Sequence, residues 1–376
     1  MNNISQSFLS RVNLPQFPLW DKMGSKRNLV SFDLEITARC NNNCRHCYIN
    51  LPSQDEAARK GEIPLTEIKG MIDQAVSLGA LWCLVTGGEP LLREDFFDIY
   101  LYLKKKGLLI TVFTNATLVN KEHIRFFKKY PPRDIEVSVY GVTSKVYESV
   151  TRGKGSFSAF MRGLNLLLKS GIKVRFKAMA LRSNVDELPR IADFCRDKTK
   201  DYFRFDPLLH LRFDGNSVRN KEIRSERLSA EEIIACEKAD PQRFQALVNN
   251  CDKFIIPELA DTACDHLFRC GIGNGELIVS PNGLIRLCSS LYCPDFLFDL
   301  RSYTLKEIWE ELIPQVLKRR SSRKELKEKC LICPIINLCM WCPAHAYLET
   351  KELDSPVEYF CRVAKAREAM LTDALK

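Results

Sequence analysis

The 376-residue sequence contains no long apolar run, internal repeat or low-complexity segment. The stretch Leu14–Trp20 is short and is broken by Pro15 and Pro18, so neither a secretory signal nor a membrane span is expected. Histidine is scarce, at five residues, which leaves cysteine as the main source of metal ligands. Hydrophobic residues make up 45% and charged residues 27%, the balance of a soluble globular chain with a sizeable core. A cytoplasmic location follows, and in a reducing compartment disulfides are not the default use of thiols. Sixteen cysteines therefore need another explanation.

The formal charge of +9 invites a nucleic-acid reading. Lysine and arginine are spread along the chain, however, apart from short runs such as Lys104–Lys106 and Lys318–Arg320, which suit solvated helix ends. Metal-bound thiolates would offset much of the excess. No nucleic-acid partner and no membrane are expected.

Four divisions follow from the pattern. Residues 1–30 form an N-terminal extension. In residues 31–210, β-rich runs alternate with amphipathic helical stretches. Phe32–Thr37, Leu81–Thr86, Leu108–Phe113, Ile135–Tyr140, Val174–Leu181 and Tyr202–Leu209 read as six strands. Thr66 can cap a helix with an apolar stripe of Ile68, Met71, Ile72, Ala75 and Val76; further helices fit Glu94–Lys106, Lys121–Lys129, Ser156–Ser170 and Glu187–Arg196. Such repetition predicts an α/β fold with a parallel sheet, a partial (β/α)6 TIM-like barrel with its chemistry at the carboxyl ends of the strands. Residues 211–260 read as a charged helical bridge. Residues 261–376 read as a second, cysteine-rich domain whose core is too small to fold without metal.

The first strand runs into Cys40-Asn-Asn-Asn-Cys44-Arg-His-Cys47-Tyr48. Three thiolates in one tight loop leave one iron of a four-iron cluster without a protein ligand, and an amine and a carboxylate can chelate that iron. The alternative is a structural Cys3His zinc site using His46, but His46 directly precedes Cys47, leaving little chain to place both around one small ion.

CxxxCxxC after the first strand resembles the signature of the radical S-adenosylmethionine superfamily. His46 stands where that family usually has an aromatic residue, with Tyr48 following. Thr86-Gly87-Gly88-Glu89-Pro90, at the end of the second strand, resembles the family's GGE motif, where Gly87, Gly88 and Glu89 would receive the methionine amine. By the same resemblance Asn115, Ser138 and Arg152 would contact the ribose or carboxylate of S-adenosylmethionine. Tyr140 stands where relatives often carry Asp. The resemblance implies one-electron cleavage of S-adenosylmethionine to a 5′-deoxyadenosyl radical that abstracts a hydrogen from substrate. It also implies a one-electron donor such as flavodoxin or ferredoxin.

The C-terminal array is Cys264, Cys270, Gly283, Cys288, then Cys330-x2-Cys333-x5-Cys339-x2-Cys342, and Cys361. It resembles the SPASM extension of peptide-, protein- and cofactor-modifying members, with the Cys339–Cys342 spacing one residue short. The family's interleaved pattern would give Cys264, Cys270, Cys288 and Cys342 to one auxiliary [4Fe-4S] cluster, and Cys330, Cys333, Cys339 and Cys361 to a second, three clusters in all. Full ligation of both favours electron transfer. Zinc is the rival here too, since C-x2-C pairs suit zinc ribbons. Glu276–Ser280 and Leu284–Cys288 form a hairpin around Asn282-Gly283, covered by a helix Leu305–Leu317. Cys83, Cys195, Cys236, Cys251 and Cys293 read as small core hydrophobes, with Cys293 the strongest exception, and His210 and His266 as structural.

Two clusters suit a net oxidation, and the leading expectation is modification of a ribosomally made peptide. Too few residues precede the first strand for a fused recognition domain, which implies a separate recognition protein or direct binding. Tetrapyrrole or other cofactor biosynthesis is the alternative. Sulfatase maturation fits less well, because Ser289 replaces the Asp expected after Cys288. A zinc-stabilised binding module is the non-enzymatic alternative.

Overall fold

The structure is a computed structural model in which residues 27–201, 203–255 and 265–374 are described. Six strands run parallel in chain order: β1 (Ser31–Thr37), β4 (Trp82–Gly87), β5 (Leu109–Thr114), β6 (Asp134–Ser138), β7 (Val174–Met179) and β8 (Arg204–Asp206). Between β1 and β4, β2 (Arg39–Cys40) and β3 (Leu51–Pro52) pair with each other around the cysteine loop. The period of two is plain in β1: Phe32, Leu34 and Ile36 are buried on one face, and Asp33, Glu35 and Thr37 occupy the other. Leu34 lies opposite Val85 in the β1–β4 register.

Helices follow the strands: α1 (Glu56–Gly61), α2 (Leu65–Ser77), α3 (Phe96–Lys105), α4 (Lys121–Lys129), α5 (Ser144–Thr151), α6 (Ser156–Lys169) and α7 (Leu188–Lys198). Ile68, Met71, Ile72 and Ala75 of α2 are buried, as their spacing requires. Thr66 is not its cap: it lies inside α2, which starts at Leu65 with Pro64 in the N-cap place and no side-chain cap bond. The last strand is shorter than the sequence indicates. Pro207 has no N–H to extend the ladder beyond Asp206, and Tyr202 lies outside the described residues.

The expected hairpin forms from β9 (Glu276–Val279) and β10 (Leu284–Arg286), which pair antiparallel, and β11 (Phe298–Asp299) adds to it. Its placement differs from a self-contained second domain. β9 pairs parallel with β1, so one nine-stranded sheet runs β11-β10-β9-β1-β4-β5-β6-β7-β8. Leu277, Val279 and Ile285 accordingly join the same buried cluster as Leu34 and Val85. The hairpin thus shares the core of the parallel sheet. Residues 305–317 are helical, with Ile308–Leu312 in π geometry, and Trp309 is docked by an Nε1 bond of 3.0 Å to the Arg27 carbonyl.

In the bridge, helices span Ser217–Glu226, Ala230–Ala239, Pro241–Val248 and Cys251–Phe254. The final helix, Glu358–Ala374, is tied to them by Arg367, which donates 2.7 Å to the fully buried Glu237 carboxylate. No helix among the described residues is long and apolar enough to cross a membrane.

One contact ties the helix layer to the sheet's functional edge. Gly163 of α6 lies against the turn after β5, where an added Cβ would come within 1.9 Å of the Ala116 carbonyl oxygen. Gly163→Ala must push that turn, and the adjacent Asn115, out of place. Overpacking of this kind should cost about 1–3 kcal/mol, measurable by denaturant unfolding. An unchanged midpoint would mean that the helix and turn separate freely.

Candidate functional site

A cavity of about 220 Å³ opens at the carboxyl ends of β4, β5, β6 and β7. Cys40, Cys44 and Cys47 all line it. Their loop is pinned from outside: Asn43 and Arg45 donate backbone bonds of 2.9 and 3.1 Å to the carbonyls of Thr151 and Val150. From the bridge, Arg219 donates 2.7 Å to the Cys44 carbonyl and Arg212 donates 3.1 Å to the Asn50 carbonyl. Two sulfurs accept backbone N–H groups, Cys40 from Asn42 and Cys47 from Asn50, each at 3.4 Å.

Burial pushes the Cys40 thiol up to about 12, with the Glu89 carboxylate adding to it. Burial likewise pushes Cys44 well above the ordinary thiol value. Such thiols ionise only when a positive centre is bound beside them. Among the described residues no three His, Cys, Asp or Glu side chains are gathered tightly enough to hold one ion. The three thiols nevertheless act on one another electrostatically across the cavity they share. An iron–sulfur cluster, whose ligands bind different irons, fits this all-thiol donor set. His46 turns its ring edge-on to Tyr140, at 4.9 Å, and burial lowers its pKa to about 4.

Gly87 and Gly88 face the same cavity. Gly87 has φ +140°, and a Cβ on Gly88 would lie 2.3 Å from the Arg39 carbonyl oxygen, so neither place admits a side chain. The closeness is used for bonding. Gly88 N donates 2.7 Å to Thr37 O, and Glu89 N donates 2.9 Å to Arg39 O, one residue before Cys40.

Asn115 and Ser138 also line the cavity. Asn115 donates from Nδ2 to Asn41 at 2.9 Å, and the same nitrogen lies 3.8 Å from Cys40 Sγ. Two expected residues stand elsewhere. Glu89 is fully buried behind the cavity wall, where its carboxylate accepts from Leu91 N, Thr114 Oγ1 and Asn115 N at 3.2, 2.8 and 2.7 Å. Burial raises its pKa to about 7. Arg152 caps α5 at φ +54° and pairs with Glu222 at 2.8 Å, outside the cavity lining.

Glu136 and Lys177 line the cavity and were not singled out from sequence. Glu136 is 6% exposed, its Oε1 has no hydrogen-bond partner, and burial raises its pKa. The signal was available: Glu136 lies two residues before Ser138 on β6, hence on the same face. Lys177 pairs with Asp206 at 3.2 Å.

The downstream thiols fall into two groups. Burial pushes Cys288 up to about 11, with Cys342 and Cys270 adding as neighbours. Burial does the same for Cys339, whose neighbours are Cys361, Cys330 and Cys333. Cys339 and Cys342 thus face different groups despite their two-residue separation. Cys264 lies outside the described residues. Cys83, Cys195 and Cys293 are buried, and Cys236 and Cys251 are half-buried. His210 lines the cavity and packs on Tyr48 at 4.6 Å, and His266 forms an isolated bridge with Arg320.

Comparison with known proteins agrees with this geometry. Residues 34–195 match the Radical SAM superfamily. The chain is 25% identical over 342 residues to an AdoMet-dependent heme synthase of Methanosarcina barkeri, covering 84% of this chain and 91% of that one. It is 27% identical over 321 residues to the antilisterial bacteriocin subtilosin biosynthesis protein AlbA of Bacillus subtilis, covering 82% and 66%. Streptococcus suis SuiB, solved with precursor peptide SuiA, shares the fold at a TM-score of 0.67 and 15% identity, over 91% of this chain and 78% of that one. The non-enzymatic alternative falls with these matches. Residues 34–195 are a radical SAM domain, and the chain is an enzyme of the radical SAM superfamily.

Proposed function

We propose that this enzyme binds S-adenosylmethionine at the three-thiol loop, cleaves it to a 5′-deoxyadenosyl radical and oxidatively modifies a ribosomally synthesised peptide. The observation that carries the reading is the convergence of Cys40, Cys44, Cys47, Gly87, Gly88, Asn115 and Ser138 on one cavity. When bound there, a [4Fe-4S] cluster would supply the electron that breaks the C5′–S bond. The chain's own part is placement and exclusion. Gly87 and Gly88 leave backbone edges open to an amine, Asn115 offers an amide, and buried walls keep water from the reacting atoms. Of the other residues expected to touch S-adenosylmethionine, Glu89 acts by fixing Asn115, and Arg152 by fixing the helix behind the loop.

We assign Cys264, Cys270, Cys288 and Cys342 to one auxiliary cluster and Cys330, Cys333, Cys339 and Cys361 to another, in residues 261–376. The two groups of neighbouring thiols support this division. Their role is to take the second electron of a net oxidation, and an external donor such as flavodoxin or ferredoxin supplies the first. Such oxygen-sensitive chemistry belongs in the cytoplasm.

The precursor peptide bound by SuiB and the bacteriocin role in AlbA's name support a peptide substrate. So does the state of the cations. Lys177, Arg212 and Arg286, which line this cavity and the one beside it, are each paired with a carboxylate, Asp206, Asp214 and Glu35 respectively. A tetrapyrrole carrying propionates would call for uncommitted cations. The heme-synthase relative favours that second reading, and binding of an iron porphyrin to the anaerobic enzyme would support it.

Two experiments test the proposal. Protein purified without oxygen should be brown and hold about twelve irons, about four for each cluster. The triple variant Cys40→Ala, Cys44→Ala, Cys47→Ala should lose about four of them and all 5′-deoxyadenosine formation, and continued formation would refute the assignment. Separately, a small peptide encoded beside the enzyme should change mass when co-expressed with it. An unchanged mass alongside active, fully clustered enzyme counts against a peptide substrate.

A further inference from the structure

Beside the three-thiol cavity lies a second one, of about 310 Å³. Tyr48 and Ile49 line both, so whatever fills the second cavity sits next to the first. One side of it is an aromatic wall. Phe213 and Tyr292 stack nearly parallel, 5.0 Å apart at 4°, and Tyr48 packs on Phe213 at 4.9 Å. The Arg286 guanidinium lies 4.7 Å from the Phe213 ring centre. That guanidinium is itself fixed by Glu35 at 2.6 Å, Ser280 Oγ at 3.0 Å and the Ser289 carbonyl at 3.0 Å. The wall is therefore in place before anything binds, which lowers the ordering cost of binding.

Small residues also contribute to the lining, namely Ala58 and Gly61 of α1. A Cβ added to Gly61 would meet nothing within 4 Å, so space remains there. The charges at the cavity are balanced within the protein, Arg286 by Glu35 and Arg212 by Asp214. A charged side chain would find no net opposite charge. A flat apolar ring finds aromatic surface for offset or edge-on contact.

We propose that this cavity is a specificity pocket for an aromatic side chain of the substrate peptide, holding it beside the reacting centre. The proposal rests on the peptide reading above and adds the residue class. The pocket holds the ring by contact alone, and its shared wall at Tyr48 and Ile49 brings the neighbouring backbone toward the three-thiol cavity.

The test uses anaerobic holoenzyme and four small probes: N-acetyl-tryptophanamide, N-acetyl-tyrosinamide, N-acetyl-leucinamide and N-acetyl-lysinamide. Binding is followed by saturation-transfer NMR. The aromatic amides should bind roughly threefold to tenfold tighter than the leucine and lysine amides. Ala58→Trp, or Gly61→Trp should the first fail to fold, fills the pocket from α1 and should erase that preference. Iron content and 5′-deoxyadenosine formed without peptide should stay unchanged in these variants. Equal binding of the four probes, or a preference that survives both obstructions, overturns the pocket. Loss of the parent reading would show differently, as holoenzyme without iron or without 5′-deoxyadenosine.

Discussion

Two backbone hydrogen bonds hold the functional edge of this enzyme together: Gly88 N to Thr37 O and Glu89 N to Arg39 O. They exist because the chain ending β4 approaches the chain leaving β1 more closely than any Cβ permits. That approach fixes the start of the cysteine loop against the glycine edge. The Glu89 carboxylate, buried in the same place, carries the arrangement onward to Thr114 and Asn115 at the end of β5. Three strands are thereby locked in one relative position. The three thiols inherit that position, and a one-residue error in any of the strands would scatter them.

Arginine does a second part of the work. Arg93 donates to the carbonyls of Ile36 and Ile63, Arg39 pairs with Glu62 at 2.8 Å, and Arg212 and Arg219 hold the cysteine loop from the bridge. Arg39 is held by a carboxylate, and the other guanidiniums satisfy backbone carbonyls, which a fork of fixed N–H donors does well. The positive formal charge therefore reflects, in part, internal fastening. It is poor grounds for a polyanionic partner.

Much of the barrel was legible because each strand carries its own local pattern. α4 spans Lys121–Lys129, the residues its sequence pattern indicates. The loop cysteines were legible because their spacing alone confines them to one place. The docking of β9 on β1 was not, since pairing between segments some 240 residues apart leaves no local trace. The surroundings of Glu89 and Arg152 were hidden for a related reason. A motif names a residue type at a position, but only the packed structure shows whether its side chain turns to the cavity or to a helix cap. Glu136 shares a face of β6 with Ser138 but belongs to no motif, so only the folded sheet shows it at the cavity.

The central claim is that three protein thiols leave one iron free for the amine and carboxylate of S-adenosylmethionine. Electron–nuclear double resonance of the reduced enzyme, with the methionine portion labelled with nitrogen-15 at the amine and oxygen-17 at the carboxylate, reads that contact directly. The account predicts hyperfine coupling from both labels, absent when the three loop cysteines are replaced. Well-formed clusters that show no coupling to either label would contradict it.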